Sequence, residues 1–474
     1  MKIPTRLVPP LYWMEQRLRG RSRVRGRYEW LAQSQWQSVE GAQTDQAESL
    51  HALIRHAYAT VPYYRDVMDE RGISPGELVG PESLRKLPLL TRGILAAQSN
   101  RLISATAVRN SLSVNYSSGS TGARAEFWQD DAFRQWQRAL QLRTYEWCGD
   151  WRLGEPFLLL WGSEIYWSHK QTIDRVEHLL TNRREYNTFR LSPALIQRFL
   201  AVLQRWGPAL ISTYATAIHV LSKEAERQGL SFHIPRGIQT TSEPITPAMR
   251  ETVRRVFGCP VWDKYGLRET GMVAHESPLH DGMCVQVENV YVEFLRDDGT
   301  PCVPGEIGRV VLTSLTNWAM PLIRYETNDL AAPVAGTCPS GRGFPRMTAV
   351  SGRLQDLVVT PAGDYIDAYF FSYLIMRFRQ IHWFQVVQRE IDRLCIRIYA
   401  PEGLDAATRR DLANRIRHHC GFAFTLDFEF LARMPESSTG KFRLCVSELA
   451  GGAVPPHMPA VHRGPWMRER VPTR

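Results

Sequence analysis

The chain has 474 residues, 44% of them hydrophobic and 22% charged, which excludes a disordered or fibrous protein and leaves room for about two or three domains with cores of their own. No apolar run approaches the roughly 18 residues that a membrane-spanning helix needs, and no apolar core with a small-residue cleavage site opens the chain, so the expectation is a cytoplasmic protein. The net charge of +10 sits at the ends, in Arg17, Arg19, Arg21, Arg23, Arg25 and Arg27 and in an arginine-rich tail from Arg463 to Arg474; the body carries about one net charge.

That distribution argues against a nucleic-acid binder. The arginine run could make weak peripheral contact with an anionic membrane face or touch RNA, but it reads chiefly as a solvated surface. The cysteines (Cys148, Cys259, Cys284, Cys302, Cys338, Cys395, Cys420, Cys445) lack paired short spacings, and reduced thiols are expected. Cys338 with Cys284, His280 and His275 is the one set that could assemble a zinc site; no C-x-x-C anchors it, and bound zinc is not expected.

Taken in chain order, residues 1–45 read as a basic, partly ordered N-terminal extension. Residues 46–70 carry helical apolar spacing (Leu50, Leu53, Ile54, Ala57, Tyr58) up to a break between Val61 and Tyr64. From about 110 to 330 short apolar runs alternate with amphipathic segments: strands at 157–162 and 209–214, helices around 193–205 and 215–228. That alternation predicts α/β layers. Strands dominate 284–325, with a turn at Asp297 to Thr300, and predict a β-rich subdomain. A compact mixture of strands and a helix (405–419) follows Gly352 as a small α+β domain, and 451–474 reads as a tail.

Four local signals point to chemistry. Ser117, Ser118, Gly119, Ser120, Thr121 and Gly122 form a glycine- and hydroxyl-rich segment whose backbone N–H groups can wrap phosphates; alone, such a cluster is more often a surface turn. It is not a Walker A loop, since Ala123 and Arg124 follow it. Lys441 follows Gly440 in a chain with only six lysines, so a compact point charge stands where arginine serves nearly everywhere else. Tyr265, Gly266, Leu267, Arg268 and Glu269 put a ring able to stack on a base and a carboxylate able to hold Mg²⁺ at a strand end. Asp329, closing Tyr325 to Asp329, is an acceptor-only group suited to two ribose hydroxyls.

Read in order, SSGSTG at 117, SEP at 242, YGLRE at 265, YETND at 325, SGRLQD at 351 and TGKFR at 439 resemble the motif succession of the acyl-adenylate-forming superfamily. Within it the chain resembles the phenylacetate:coenzyme A ligase branch, especially its capsular-polysaccharide-biosynthesis relatives, over about residues 48–450; VPYYR at 61, LRKLPLLTR at 84 and FQVVQ at 384 add to the likeness. The resemblance implies a large N-terminal domain of layered sheets and helices (46–352) and a small mobile C-terminal domain (353–450) swinging about a hinge near Gln355 and Asp356.

It also implies roles. Residues 117–122 would hold the outer phosphates of ATP, Ser242, Glu243 and Pro244 with Tyr265 and Gly266 would border the adenine, and Glu269 would help bind Mg²⁺. Asp329 and Arg353 would hold the ribose. Lys441 would reach the acyl carboxylate and the α-phosphate. The implied activity is conversion of a small-molecule carboxylic acid to acyl-AMP, then transfer to an acceptor thiol, coenzyme A by default, or to an amine of a sugar or natural product. A degenerate nucleotide-binding scaffold is the rival. Arg268 stands where the superfamily usually has Thr or Ser; it would either replace the lost hydroxyl contact to phosphate with charge or point away and leave adenylation impaired. Trp161, Trp167 and Tyr214 are candidates for lining a planar acid's pocket, or for core.

Overall fold

A computed structural model describes residues 2–78, 80–116, 126–161, 177–187, 193–350, 358–361, 365–366, 371, 374–375, 378, 380–420, 422–433, 435 and 444–449. The residues expected to form an extension fold into helices instead. These are α1 (Val8–Leu18) and α2 (Arg23–Ser34), then α3 (Val39–Thr60), whose start at Ser38 is capped by a side chain accepting from the Gly41 N–H at 3.1 Å.

α3 ends where Pro62 opens α4 (Pro62–Glu70), a break forced by proline's missing N–H. Short α5 (Pro81–Leu84) and α6 (Arg92–Gln98) follow, then the hairpin β1 (Ser113–Tyr116) and β2 (Glu126–Gln129), and α7 (Asp131–Glu146). The arginine run is not a uniformly solvated face. Arg27 donates to the Ala132 carbonyl and lies over the Trp136 ring at 5.4 Å, and Arg19 pairs with Glu15 and Glu177, so α1 and α2 are bound to the domain through part of that run. Arginine stems cover apolar surface while their heads find partners.

A nine-stranded sheet, counted among the described residues, organises the large domain. Its parallel half is β3 (Phe157–Trp161), β4 (Arg183–Asn187), β5 (Leu210–Tyr214), β6 (Gly237–Thr241) and β7 (Val261–Leu267), in the order β4-β3-β5-β6-β7. Helices α8 (Pro193–Trp206), α9 (Ala215–Arg227) and α10 (Pro247–Phe257) make the crossovers, as parallel strands require. Antiparallel β8 (Gly271–Glu276) and β9 (Met283–Val285) extend it.

β10 (Val290–Leu295), β11 (Gly308–Ser314) and β12 (Tyr325–Ala331) form the expected β-rich layer. The Asp297 to Thr300 turn closes a Leu295–Pro301 bridge inside the β10–β11 connection rather than joining the two strands directly. β13 (Pro333–Val334) and β14 (Arg346–Met347) pair onto β9. Beyond them come the hairpin β15 (Val358–Val359) and β16 (Tyr365–Ile366), and a four-stranded sheet of β17 (Trp383–Glu390), β18 (Arg393–Tyr399), β19 (Thr425–Phe430) and β20 (Cys445–Ser447) with helix α11 (Ala406–Cys420). One apolar cluster joins Leu158, Ile211 and Ile238 of the large sheet, through Ile218 and Leu221 of α9, to Ile381 and Phe384.

Candidate active site

The parallel strands end at one edge, and the chemistry-bearing residues stand there. Trp161 closes β3, Tyr214 closes β5, Ser242 follows β6 and Tyr265 lies near the end of β7, which places four motif segments side by side because β5 pairs with β6 and β6 with β7 in parallel register. Ligand crevices of α/β sheets lie at such carboxyl ends. The Trp161 and Tyr214 rings meet at 4.8 Å, and Tyr214 is buried. Trp167 lies outside the described residues.

The second wall is β12. Its register against β11 runs Glu326 to Val311 and then Leu330 to Arg309, so Thr327, Asn328 and Asp329 together oppose Val310. Such a bulge re-aims side chains. The Thr327 hydroxyl donates to the Val310 carbonyl at 2.9 Å and accepts from the Asp329 N–H at 3.1 Å, which fixes the bulge from within. Asp329 is thereby presented to Tyr265, whose hydroxyl donates to Asp329 Oδ2 at 2.6 Å. Both are partly or fully buried, and a charge-assisted bond of this kind is among the stronger ones.

Glu269, also buried, accepts from the Tyr325 hydroxyl at 3.2 Å. Burial, then the nearby Glu269 carboxylate, pushes the Tyr325 phenol above its ordinary range, so it stays a donor. Arg268 is half-buried, and its carbonyl accepts from Gln129 Nε2 at 2.7 Å, which ties the β1–β2 hairpin to the Arg268–Glu269 segment. Gly266 admits no side chain: a Cβ there would stand 2.9 Å from the Gly271 carbonyl. Among the described residues, three of the six non-glycine residues with positive φ are Ser242 (74°), Arg324 (55°) and Asn328 (60°), each in or beside one of these motifs. Backbone held in that region costs about 1–3 kcal/mol and gathers where a site needs it.

Ser242, Glu243 and Pro244 thus follow the end of β6, Tyr265, Gly266, Arg268 and Glu269 lie at and just beyond the end of the neighbouring β7, and Asp329 meets them from the bulge of β12 in a separate sheet. Ser117, Ser118, Gly119, Ser120, Thr121, Gly122, Arg353, Gln355, Asp356 and Lys441 lie outside the described residues. Four residues around these walls were not picked out in the sequence as partners. Gln129 and the buried pair of Arg324 with Glu293, at 3.0 and 3.1 Å, act across long separations; Tyr325 stood inside the YETND motif and could have been read as a partner for the carboxylate.

Of the four zinc candidates, Cys284 and Cys338 come together, with Cys284 Sγ donating to Cys338 Sγ at 2.9 Å. His275 instead turns to the Glu276 carbonyl and Cys148, and His280 to Glu276. Among the described residues no group of three or more His, Cys, Asp or Glu is placed to hold a metal ion.

The CapK C-terminal domain family matches residues 358–448. The chain is 28% identical over 337 residues to phenylacetate-coenzyme A ligase of Escherichia coli (strain K12), covering 68% of this chain and 73% of that protein. It is 18% identical over 405 residues to protein CapK of Staphylococcus aureus, covering 82% and 85%. The fold matches that of 2-hydroxyisobutyryl-CoA ligase in the postadenylation state with TM-score 0.71, 17% identity, and coverage of 88% of this chain and 92% of that one. An open conformation of the same ligase gives a TM-score of 0.57 at 17% identity, covering 86% of this chain and 92% of that one.

Proposed function

Because this chain is a member of the adenylate-forming superfamily, on its phenylacetate-CoA ligase-like branch near CapK, we propose that it activates a carboxylic acid with ATP as acyl-AMP and passes the acyl group to the thiol of coenzyme A. The observation that carries this reading is the meeting of residues 242–244 and 265–269, at neighbouring strand ends of the large sheet, with residues 325–329 of the separate β12 layer, where Tyr265 is bonded to Asp329 and Tyr325 to Glu269.

In that reading the Tyr265 ring borders the adenine while its hydroxyl holds the Asp329 carboxylate, leaving an acceptor-only group oriented for the ribose hydroxyls. Glu269 supplies a hard oxygen donor of the kind magnesium takes, and its tie to Tyr325 fixes its rotamer. Magnesium, when bound, lowers the mutual repulsion of the phosphates. Arg268, anchored through its carbonyl to Gln129, supplies cationic charge where relatives use a hydroxyl. Lys441 meets the attacking carboxylate as it approaches the α-phosphorus, when two anions must come together; one preorganised donor of this kind contributes about 3 kcal/mol, on the order of a hundredfold in rate. Trp161 and Tyr214 wall the acid side of the crevice.

The test is carboxylate-dependent ATP:pyrophosphate exchange over aryl and aliphatic acids, with Lys441→Ala and Asp329→Ala as controls, followed by transfer to coenzyme A or to amines. Exchange with one acid class that collapses in both variants supports the proposal. ATP binding without exchange for any acid overturns it in favour of a nucleotide-binding scaffold.

A further inference from the structure

α1 shows two faces that differ in kind. Val8, Tyr12, Glu15 and Gln16 are buried against the domain, Tyr12 Oη accepts from Arg138 Nε at 2.9 Å, and the preceding Ile3 exchanges both backbone groups with the Asn182 side chain at 2.7 Å. The helix is thus pinned and cannot roll its other side inward. That other side carries Leu7, Met14 and Leu18 at 47%, 54% and 80% exposure. At 100° per residue the three directions fall within about 40° of one another, with partly exposed Leu11 beside them, so they form one apolar stripe.

The charge around this stripe has one sign. Between residues 2 and 27 the only acid is Glu15, and it faces the protein and pairs with Arg19. Arg6, Arg17 and Arg23 are exposed and flank the stripe or follow its end, whereas Arg25 is paired with Glu29 at 2.8 Å. An anionic polymer such as RNA would gain from the arginines but nothing from Leu7, Met14 and Leu18. Exposed leucines rimmed by arginines instead match an anionic bilayer surface, where apolar side chains enter the acyl boundary and cations meet lipid phosphates.

We infer that α1 and the start of α2 form a docking face for an anionic phospholipid membrane. None of the residues of this stripe belongs to a motif of the crevice, so the face positions the enzyme on a membrane without entering its chemistry.

Sedimentation with vesicles tests this on the full chain, comparing phosphatidylcholine alone with an equal mixture of phosphatidylcholine and phosphatidylglycerol. The chain is expected to pellet with the mixed vesicles, to stay in solution with the neutral ones, and to be released by high salt. Leu7→Glu with Leu18→Glu should lower partitioning about tenfold or more, and Arg17→Glu with Arg23→Glu should do so chiefly at low salt. All four side chains are exposed, and unchanged melting temperatures confirm that the variants fold. Failure to pellet with mixed vesicles, or pelleting that the leucine variants leave unchanged, overturns the inference. Loss of a dimer in the leucine variants without any vesicle binding assigns the stripe to a second copy of the chain and overturns it equally.

Discussion

Tyr265 and Asp329 lie 64 residues apart, yet the hydroxyl of the first holds the carboxylate of the second at 2.6 Å. The bond joins the end of a parallel strand to a bulge in a separate antiparallel layer, so it both orients Asp329 and locks two layers at the crevice. Tyr265→Phe keeps the ring and removes the donor. Apparent affinity for ATP in the exchange reaction is expected to fall by about tenfold, the equivalent of a hydrogen bond to a charged group at the lower end of its range. Asp329→Ala, which removes the acceptor itself, should cost more. Equal effects from the two variants would mean that Asp329 acts only by holding Tyr265.

Gly271 carries a second test of the same wall. Its φ is +75°, and a Cβ there would stand 2.1 Å from Gln137 Oε1, the atom that accepts the Met272 N–H at 2.9 Å. Gln137 also donates to Asn289 at 2.7 Å. Gly271→Ala must therefore strain the backbone and displace a bridging amide together, and is expected to destabilise the fold by at least about 2 kcal/mol. Thermal melting measures the loss. Because the β7–β8 register shifts just beyond Tyr265, exchange activity should fall below what the remaining folded fraction explains.

Much of this architecture was legible in the sequence. The apolar run at 157–162 is β3, the run at 209–214 is β5, and the helices expected around 193–205 and 215–228 are α8 and α9, because strands buried on both faces and amphipathic crossovers carry strong periodic signals. α1 and α2 were not legible, since arginines interrupt their apolar stripe while their stems cover the surface that leucines would otherwise cover. Glu269 and Asp329 were legible as members of motifs. Their partners Tyr325 and Tyr265 were not assigned as partners, because no short-range pattern encodes a contact across 56 or 64 residues. The positive φ at Ser242, Arg324 and Asn328 was equally hidden, as none of the three is glycine.

Asp263, two residues before Tyr265 on the same strand, gives a pH signature. Burial, then the Glu276 carboxylate, pushes its carboxyl up to about 7 from an ordinary 3.8. Between those values the folded chain holds a proton that the unfolded chain has released. The stabilising contribution is therefore complete below about pH 3.8 and is lost as pH rises toward 7, with a slope of about 1.4 kcal/mol per pH unit within the window. His275, which burial pushes down to about 4, has the opposite slope over part of that range, so the comparison must be between chains that share it. In urea unfolding across the window, Asp263→Asn should lose this downward slope relative to the parent chain. Parallel profiles for the two would show that Asp263 ionises normally.

Arg143 and Glu288 carry the last prediction. Arg143 is fully buried on α7; its Nη1 donates to Glu288 Oε1 at 2.7 Å and to the Leu31 carbonyl at 3.1 Å, and its Nη2 donates to Glu288 Oε2 at 3.0 Å. Ser34 donates to the same Glu288 carboxylate at 2.7 Å. The pair thus fastens α2 to α7 and to the segment that leads into β10. Arg143 and Ser34 hold the Glu288 carboxyl below its usual range against the opposing effect of burial, so the carboxylate remains charged inside the protein. Arg143→Met leaves that charge without its cation and is expected to cost about 3–5 kcal/mol. Adding Glu288→Gln to the same chain removes the orphaned charge and should recover a large part of the loss. A double variant no more stable than Arg143→Met alone would show that the cost comes from lost packing and from the unfilled Leu31 carbonyl rather than from the buried carboxylate.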